Sequence, residues 1–215
     1  MSQDNPTRDS ASNGAGSLDI IYLDNHLLVV NKPAGVLSQG DATGDASMLD
    51  LGKAHLKAVF NKPGNVFLGL VHRLDRVVCG VMVFARTSKA ASRLSEQFRN
   101  RTVSKLYEAI VQGIPESEAE LMSTLDGKAC SLSYRVVETR GNRARLQVRL
   151  GTGRKHQIRR MLSEIGHPVV GDSRYGGVRL DRRVIALRAS ELRLEHPTTK
   201  EELVFTGSVP EWWPW

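Results

Sequence analysis

The sequence is poor in cysteine, with only Cys79 and Cys130, and these two form no CxxC or other paired pattern. A disulfide framework and a cysteine-based zinc site are therefore excluded, and unpaired thiols of this kind are typical of a cytoplasmic protein. Long hydrophobic runs are also missing. No apolar stretch approaches the ~20 residues that a membrane-spanning helix needs, so we expect no association with a membrane.

Signatures of metal and nucleotide chemistry are absent as well. The six histidines show no paired ligand spacing such as HExxH, so no metal is predicted. No GxxxxGK(S/T) motif occurs, which argues against the binding of nucleoside triphosphates. On these residues alone, His72 and His156 are interpreted as hydrogen-bonded structural residues or surface groups.

What the chain has in excess is positive charge, with 30 Lys and Arg against 23 Asp and Glu and a formal net charge of +7. Such a balance favours polyanionic partners, although it also occurs in proteins that bind none. Between Glu138 and Glu164 there is no acid but there are eight bases: Arg140, Arg143, Arg145, Arg149, Arg154, Lys155, Arg159 and Arg160. This run favours phosphate binding, and the alternative is a solvated basic face.

The first 17 residues differ in composition from the rest. They are rich in Ser, Asn, Gly and Asp and contain almost nothing apolar, so they cannot offset the entropy of ordering and are predicted to form a disordered tail. Residues 18–215 are then predicted to form one domain, which is long enough to bury a substantial core.

Short apolar runs punctuated by Gly, Pro, Asn and Asp predict nine strands. They cover residues 20–23, 27–30, 66–71, 81–85, 106–111, 132–137, 144–150, 185–187 and 203–206. The clearest is RARLQVRL (143–150), in which polar and apolar residues alternate with period two. We expect it to form a hairpin with residues 131–140 through Gly141 and Asn142.

Two helices are predicted. Ser88 is a candidate N-cap for the helix at 89–100, and the second helix covers 154–166, with Gly166 as its C′ residue. Many strands with few helices indicate an α+β fold, with a mixed, mostly antiparallel β-sheet core and flanking helices.

The segment HRLDRVVCG (72–80) connects two predicted strands and places Asp75 between Arg73 and Arg76. Loops held by rigid elements often carry functional side chains. Taken alone, however, this one is more typical of an ordinary exposed loop whose acid pairs with a neighbouring arginine. Tyr107 alone is typical of core filler, and Cys79 of a small packing residue.

Four stretches together, in order, resemble the RluA-type pseudouridine synthase family. They are LLVVNKPAGVLS (27–38), HRLDRVVCG (72–80), KLYEAIVQG (105–113) and TGRKHQIRRMLSEIGHPVVGDSRYGG (152–177). The motif HRLD (72–75) favours the RluA branch over the related RsuA branch. The resemblance runs from about residue 20 to the C-terminus.

The resemblance implies the pseudouridine synthase fold and the isomerisation of uridine in rRNA, tRNA or both, without a cofactor. The sequence leaves the oligomeric state open, and a monomer is favoured. The resemblance also implies that Asp75 is the catalytic carboxylate, that Tyr107 lies against the uracil ring, and that Arg159 pairs with Asp75. The residues implied to bind the RNA substrate are His72, Arg73, Arg76, Arg154, Lys155, His156 and Gln157.

Two positions depart from the family pattern: Val78-Cys79 replaces Thr-Ser, and Arg188 replaces His. They leave open a catalytically impaired RNA-binding protein of the same fold. A glycoside hydrolase is a weaker alternative, because that chemistry usually needs two opposed carboxylates. Nucleobase deamination needs a zinc signature, which is absent.

Overall fold

The computed structural model describes residues 18–180 and 184–215. The predicted disordered tail, residues 1–17, lies outside the described residues. The helices are α1 (Met48–Val59), α2 (Ser88–Asn100) and α3 (Gln157–Glu164), with a 3₁₀ turn at Ser173–Tyr175. The strands are β1 (Ile20–Leu23), β2 (Leu27–Lys32), β3 (Gly69–Leu70), β4 (Cys79–Ala85), β5 (Ser104–Gln112), β6 (Glu118–Leu125), β7 (Lys128–Arg140), β8 (Arg143–Leu150), β9 (Leu187–Glu195) and β10 (Glu202–Thr206).

All ten strands belong to one sheet. Its main path has the order β1-β2-β4-β9-β5-β8-β7-β6, with β10 beside β9 and β3 beside β4. Every described pair of strands is antiparallel except β4 and β9, which run parallel at the centre. The predicted α+β class and mostly antiparallel sheet are confirmed.

The predicted hairpin at 131–150 is present, with Arg140 opposite Arg143 across the turn. Its alternation has the expected consequence, because Ala144, Leu146 and Val148 of β8 are fully buried. The other face of β8 carries its arginines. One face of this strand therefore belongs to the core, and the other is polar.

The core lies on both faces of the central strands. Leu28 and Val30 of β2 pack into one cluster with residues of α1 and α3. Leu27 and Val29 of the same strand pack into a second cluster with Ala90 and Leu94 of α2. Burial on both faces explains why β2 and β4 are nearly continuous apolar runs rather than alternating ones.

Several predicted boundaries were wrong. Of the strand expected at 66–71, only β3 is paired, and Thr87 rather than Ser88 caps α2, because its side chain accepts a hydrogen bond from the backbone N–H of Ala90 at 3.1 Å. The strand expected at 185–187 begins at Leu187 and continues to Glu195. The helix expected from residue 154 begins at Gln157, because the backbone at His156 is left-handed, with φ 53°.

Two elements were not predicted at all. The helix α1 begins at a capping box in which Ser47 accepts from the N–H of Asp50 and the Asp50 carboxylate accepts from the N–H of Ser47. The strand β6 forms the edge of the sheet, and most of its side chains are exposed or half-buried. Within the described ranges, no helix combines the length and apolar character needed to cross a membrane.

Gly80 is the point at which the loop carrying Asp75 enters the sheet. Its φ is +114°, and a Cβ atom there would lie 2.1 Å from the carbonyl oxygen of Ala189 in β9. A glycine is therefore required for β4 and β9 to approach each other at this position.

We predict that Gly80→Ala lowers the free energy of unfolding by about 3 kcal/mol, because backbone strain and a backbone clash coincide. Urea denaturation measures the change. The matched control is Gly64→Ala, where the added Cβ meets nothing within 4 Å. Equal stability of the two variants would contradict this account of the β4–β9 contact.

Candidate active site

The predicted site residues line a single open cavity of about 950 Å³. Its walls come from the loop between β3 and β4, the C-terminal end of α2, the start of β5 and the loop before α3. Eight Arg and Lys residues line it, against two acids, Asp41 and Asp75. A cavity with this balance favours an anionic ligand.

Asp75 occupies the wall of this cavity, and its side chain is 28% exposed. One of its oxygens, Oδ2, accepts a hydrogen bond from Nη1 of Arg159 at 3.1 Å. The contact predicted between these two residues is therefore present. The guanidinium comes from the first turn of α3, whose N-terminal end faces the loop that carries Asp75.

A second acid, Asp172, holds Arg159 in place and was not singled out from the sequence. Its carboxylate accepts from Nε at 2.6 Å and from Nη2 at 2.9 Å, and it is 1% exposed. Burial acts to lower the pKa of Arg159, but the bonds to Asp172 and Asp75 outweigh burial and raise it. The guanidinium is therefore fixed in charge and in direction, with only Nη1 turned toward Asp75.

Tyr107 lies in β5 on the face of the sheet that forms the cavity floor. Burial, together with the negative charge of Asp75, raises the pKa of Tyr107 well above its usual value, so the hydroxyl stays protonated at neutral pH. No described residue makes a hydrogen bond with this hydroxyl. The ring and its O–H group are thus available to a ligand.

The two histidines predicted to bind RNA are in different surroundings. Nε2 of His72 accepts from the backbone N–H of Val83 at 3.0 Å, and the ring stacks on Phe98 at 4.8 Å. Burial lowers the pKa of His72 to about 3, so this ring is neutral. His156 has Nδ1 2.8 Å from the Tyr175 hydroxyl and Nε2 3.6 Å from Oδ2 of Asp75.

Three other predicted RNA-binding residues line the same cavity. Arg73 and Lys155 are exposed, with no ion pair to a described residue. Arg76 is engaged, because it donates to Gly35 at 2.9 Å and to Asp45 at 2.7 Å, and so braces the loop.

Arg154 lies in the loop before α3, and Gln157 is the first residue of that helix. The Nε atom of Arg154 is buried beside the cavity without a hydrogen-bond partner among the described residues. Oε1 of Gln157 accepts from Thr152 at 2.7 Å and from the N–H of Arg154 at 3.0 Å, while Nε2 donates to Ser131 at 2.9 Å. Gln157 thus shapes the loop from inside, and Arg154 faces the ligand space.

The basic run at 140–160 is divided between two faces of the sheet. Arg145 lies between Glu108 at 3.7 Å and Glu138 at 3.2 Å, on the face opposite Tyr107. Arg140 pairs with Glu138, and Arg160 with Asp126. Of the eight bases in the run, only Arg154, Lys155 and Arg159 line the cavity. Three further bases that were not predicted from the sequence also line the cavity: Arg99, Arg101 and Lys105.

A buried cation, Lys32, ties the loop of Asp75 to β2. Its ammonium donates to the carbonyl oxygens of Pro33 at 3.0 Å, Arg76 at 3.2 Å and Val78 at 2.7 Å. Burial lowers the pKa of Lys32 to about 8, although the negative charge of Asp75 opposes this shift. A single lysine in the apolar run LLVVNK was the available signal in the sequence.

The two departures from the family pattern do not disturb this geometry. Cys79 is buried, and burial raises the pKa of its thiol to about 11, so it is a neutral packing residue, as predicted. Arg188 donates to Glu108 at 2.9 Å and to the carbonyl of Gly207 at 3.1 Å. It stands opposite Glu108 across the β5–β9 pair, on the face away from Tyr107.

Within residues 18–180 and 184–215, no three His, Cys, Asp or Glu side chains form a group suited to a metal ion. Among its cations, the cavity holds the carboxylates of Asp75 and Asp41, the protonated phenol of Tyr107 and the neutral imidazoles of His72 and His156. Such a set suits proton transfer or nucleophilic attack on an anionic ligand.

Comparison with known proteins agrees with this picture. Residues 26–164 match the family described as RNA pseudouridylate synthase. Ribosomal large subunit pseudouridine synthase D of Pseudomonas aeruginosa is 36% identical over 227 residues, covering 92% of this chain and 70% of the relative. Its namesake in Vibrio parahaemolyticus is 36% identical, covering 90% and 68%. The solved structure of human RNA pseudouridylate synthase domain containing 4 superimposes with a TM-score of 0.76 at 26% identity, over 91% of this chain and 90% of that one.

We predict a pH signature of the buried Lys32. Its folded-state pKa of about 8 lies below the ordinary 10.5, so between these values the unfolded chain binds a proton that the folded chain has lost. The free energy of unfolding contributed by this group therefore rises with pH across that window. Urea denaturation at several pH values should show the rise in the wild type and not in Lys32→Met.

The control for this comparison is Lys57→Met, a substitution at an exposed position of α1. It should keep the pH dependence of the wild type. Identical profiles for the wild type and Lys32→Met would mean that the ammonium at position 32 is not desolvated as described.

Proposed function

This chain belongs to the RNA pseudouridylate synthase family, and we propose that it isomerises uridine to pseudouridine in RNA with Asp75 as the catalytic carboxylate. In this reaction the C1′–N1 bond breaks, the uracil turns, and C5 bonds to C1′. C5 loses a proton and N1 gains one, so atoms and electrons balance within the nucleotide. The chemistry calls for proton-transfer groups and for charge stabilisation.

The observation that carries the proposal is the contact between Asp75 and Arg159 at the wall of the cavity, 3.1 Å long. A pocket that accepts a base excludes water, and exclusion of water disfavours an ionised carboxylate. A guanidinium at hydrogen-bond distance opposes this effect. The Asp75 carboxylate is thus paired with a cation at the cavity wall, where it can act on the sugar or on the ring.

Tyr107 supports the same reading of the cavity. A uridine that leaves its stack costs a few kcal/mol, which stacking on an aromatic ring and hydrogen bonds to the base edge can return. Tyr107 offers a ring and a free protonated hydroxyl beside Asp75. In this proposal it lies against the uracil, while Arg73 from the same loop fills the space that the base has left.

The basic residues around the cavity mouth provide a path for the RNA backbone. Arg154 and Lys155 lie on the loop before α3, and Arg101 and Lys105 lie near the start of β5. Burial, with the charge of Arg101, lowers the pKa of Lys105, and no described carboxylate pairs with it. A phosphate group between the two sides would neutralise both. The relatives named above point to large-subunit ribosomal RNA as the substrate, with tRNA as the alternative.

We predict that Asp75→Asn lowers the rate of isomerisation by about 100-fold or more, because the amide cannot act as base or nucleophile. Release of tritium from RNA labelled at uridine C5 measures the rate, on large-subunit rRNA and on tRNA. RNA affinity should stay nearly unchanged. Asp126→Asn, an exposed carboxylate outside the cavity, is the control and should keep full activity. Substantial tritium release by Asp75→Asn would show that the acid is misassigned.

We predict that Arg154→Ala combined with Lys155→Ala weakens RNA binding and flattens its salt dependence. Loss of two phosphate contacts to a single strand should reduce the slope of log K against log salt by about 1.4. Binding is best measured in the Asp75→Asn background, where turnover does not interfere. A control pair, Lys57→Ala with Lys62→Ala, removes two exposed charges that do not line the cavity. The same slope in both double variants would remove the loop before α3 from the RNA interface.

A further inference from the structure

His156 has a backbone conformation that its position at the start of α3 does not explain. Its φ is 53°, in the left-handed region that residues other than glycine rarely adopt. It is the N-cap residue of α3, yet its side chain makes no capping hydrogen bond. The strain instead turns the imidazole toward the cavity, where its side chain is 12% exposed.

The imidazole lies between Tyr175 and Asp75. Nδ1 is 2.8 Å from the Tyr175 hydroxyl, and Nε2 is 3.6 Å from Oδ2 of Asp75. Oδ2 also accepts from Nη1 of Arg159. Both groups therefore face the same carboxylate oxygen, the guanidinium at hydrogen-bond distance and the imidazole just beyond it. The other oxygen, Oδ1, makes no hydrogen bond with a described residue.

The charge of Asp75 selects the tautomer of this ring. Burial lowers the pKa of His156, and the positive charges of Arg159, Arg174 and Lys155 lower it further. The negative charge of Asp75 opposes this shift but does not cancel it, so the ring is neutral. A neutral ring carries one N–H. A lone pair on Nε2 would face the carboxylate and be repelled, so the proton lies on Nε2. Nδ1 then accepts from the hydroxyl of Tyr175.

The 3₁₀ turn that supplies Tyr175 also positions Arg159. Asp172, directly before this turn, binds Nε and Nη2 of the guanidinium, and the guanidinium carbon lies 5.0 Å from the centre of the Tyr175 ring. Residues 172–175 thus orient both groups that contact Oδ2 of Asp75.

We propose that His156 is a positioning residue for Asp75 rather than an RNA ligand. Its Nε2–H, 3.6 Å from Oδ2 in this structure, closes to hydrogen-bond distance when the nucleotide fills the cavity, and together with Arg159 it then holds Oδ2 and presents Oδ1 to the reacting nucleotide, while Tyr175 fixes the tautomer. The inference rests on the proposed function of Asp75. It assigns a role to Tyr175 and names the oxygen that acts.

Two substitutions of His156 separate this role from a structural one. The amide N–H of His156→Gln reaches the place of Nε2, whereas that of His156→Asn reaches only the place of Nδ1. Asn tolerates a left-handed backbone better than most residues do. A structural role therefore ranks Asn above Gln, and donation to Asp75 ranks Gln above Asn.

We expect the single-turnover rate of tritium release to fall about 10- to 100-fold in His156→Asn, the range for loss of a hydrogen bond to a charged group. The rate of His156→Gln should be at least about tenfold above that of Asn. Thermal stability should show the reverse order, and RNA affinity should be the same in both variants.

Tyr175→Phe tests whether the hydroxyl acts through His156. It keeps the ring beneath Arg159, so the fold is preserved. In the wild-type background, Tyr175→Phe should lower the single-turnover rate of tritium release. In the His156→Asn background it should have no further effect, because the effects of groups that act in series are not additive.

The outcomes distinguish a failure of the proposed function from a failure of the inference about His156. A wild-type protein that releases no tritium from rRNA or tRNA would overturn the proposed function and this inference with it. With an active wild type, equal rates in the Gln and Asn variants, or a faster Asn variant, would overturn the inference alone. If the His156 variants lost RNA affinity without a change in single-turnover rate, the inference would be wrong and His156 would be an RNA-binding residue, as the family resemblance implies.

Discussion

The geometry of the site depends on one buried cation shared by two acids. Arg159 is 5% exposed and donates to Asp172 through two atoms and to Asp75 through a third. Removal of either acid would leave a buried charge incompletely paired, and such charges are costly. The three residues come from the loop before β4, from α3 and from the turn after it. Their ion pairs therefore fix these segments relative to one another as well as the direction of Asp75.

The loop that carries Asp75 is rigid because side chains from β2 and from the segment after β2 make hydrogen bonds with the backbone of the loop. Lys32 binds the carbonyls of Arg76 and Val78, and the Ser38 hydroxyl donates to the carbonyl of Leu74 at 2.7 Å and accepts from its N–H at 3.1 Å. A catalytic group gains most when its position is settled before the substrate arrives. In the proposed function, the stretch 27–38 contributes by positioning the stretch 72–80, although it supplies no reacting group.

Local patterns made part of this structure predictable. The β7–β8 hairpin follows from strict alternation and a two-residue turn, and α2 from an apolar stripe. The helix α1 was missed because Gly52 and Lys53 interrupt its stripe, although Ser47 and Asp50 form a readable capping box. The strand β6 was missed because an edge strand needs little apolar character. The motif resemblance led to the Asp75–Arg159 contact. The roles of Lys32 and Asp172 depend on partners distant in sequence, which periodicity cannot reveal.

The division of the arginines explains why the carboxylate needs a buried partner. On the far face of the sheet, Glu108 and Glu138 neutralise the bases of β8. At the cavity mouth, Arg101, Lys105, Arg154 and Lys155 have no such partner among the described residues, and in the proposed function they bind the phosphates of an RNA strand. Once phosphates pair with these bases, the bases are no longer available to pair with the carboxylate of Asp75. Arg159, buried and bound by Asp172, is closed to phosphate and keeps its charge beside the carboxylate. In the proposed function the substrate therefore binds through one set of cations, while Asp75 is paired with another cation that the substrate does not reach.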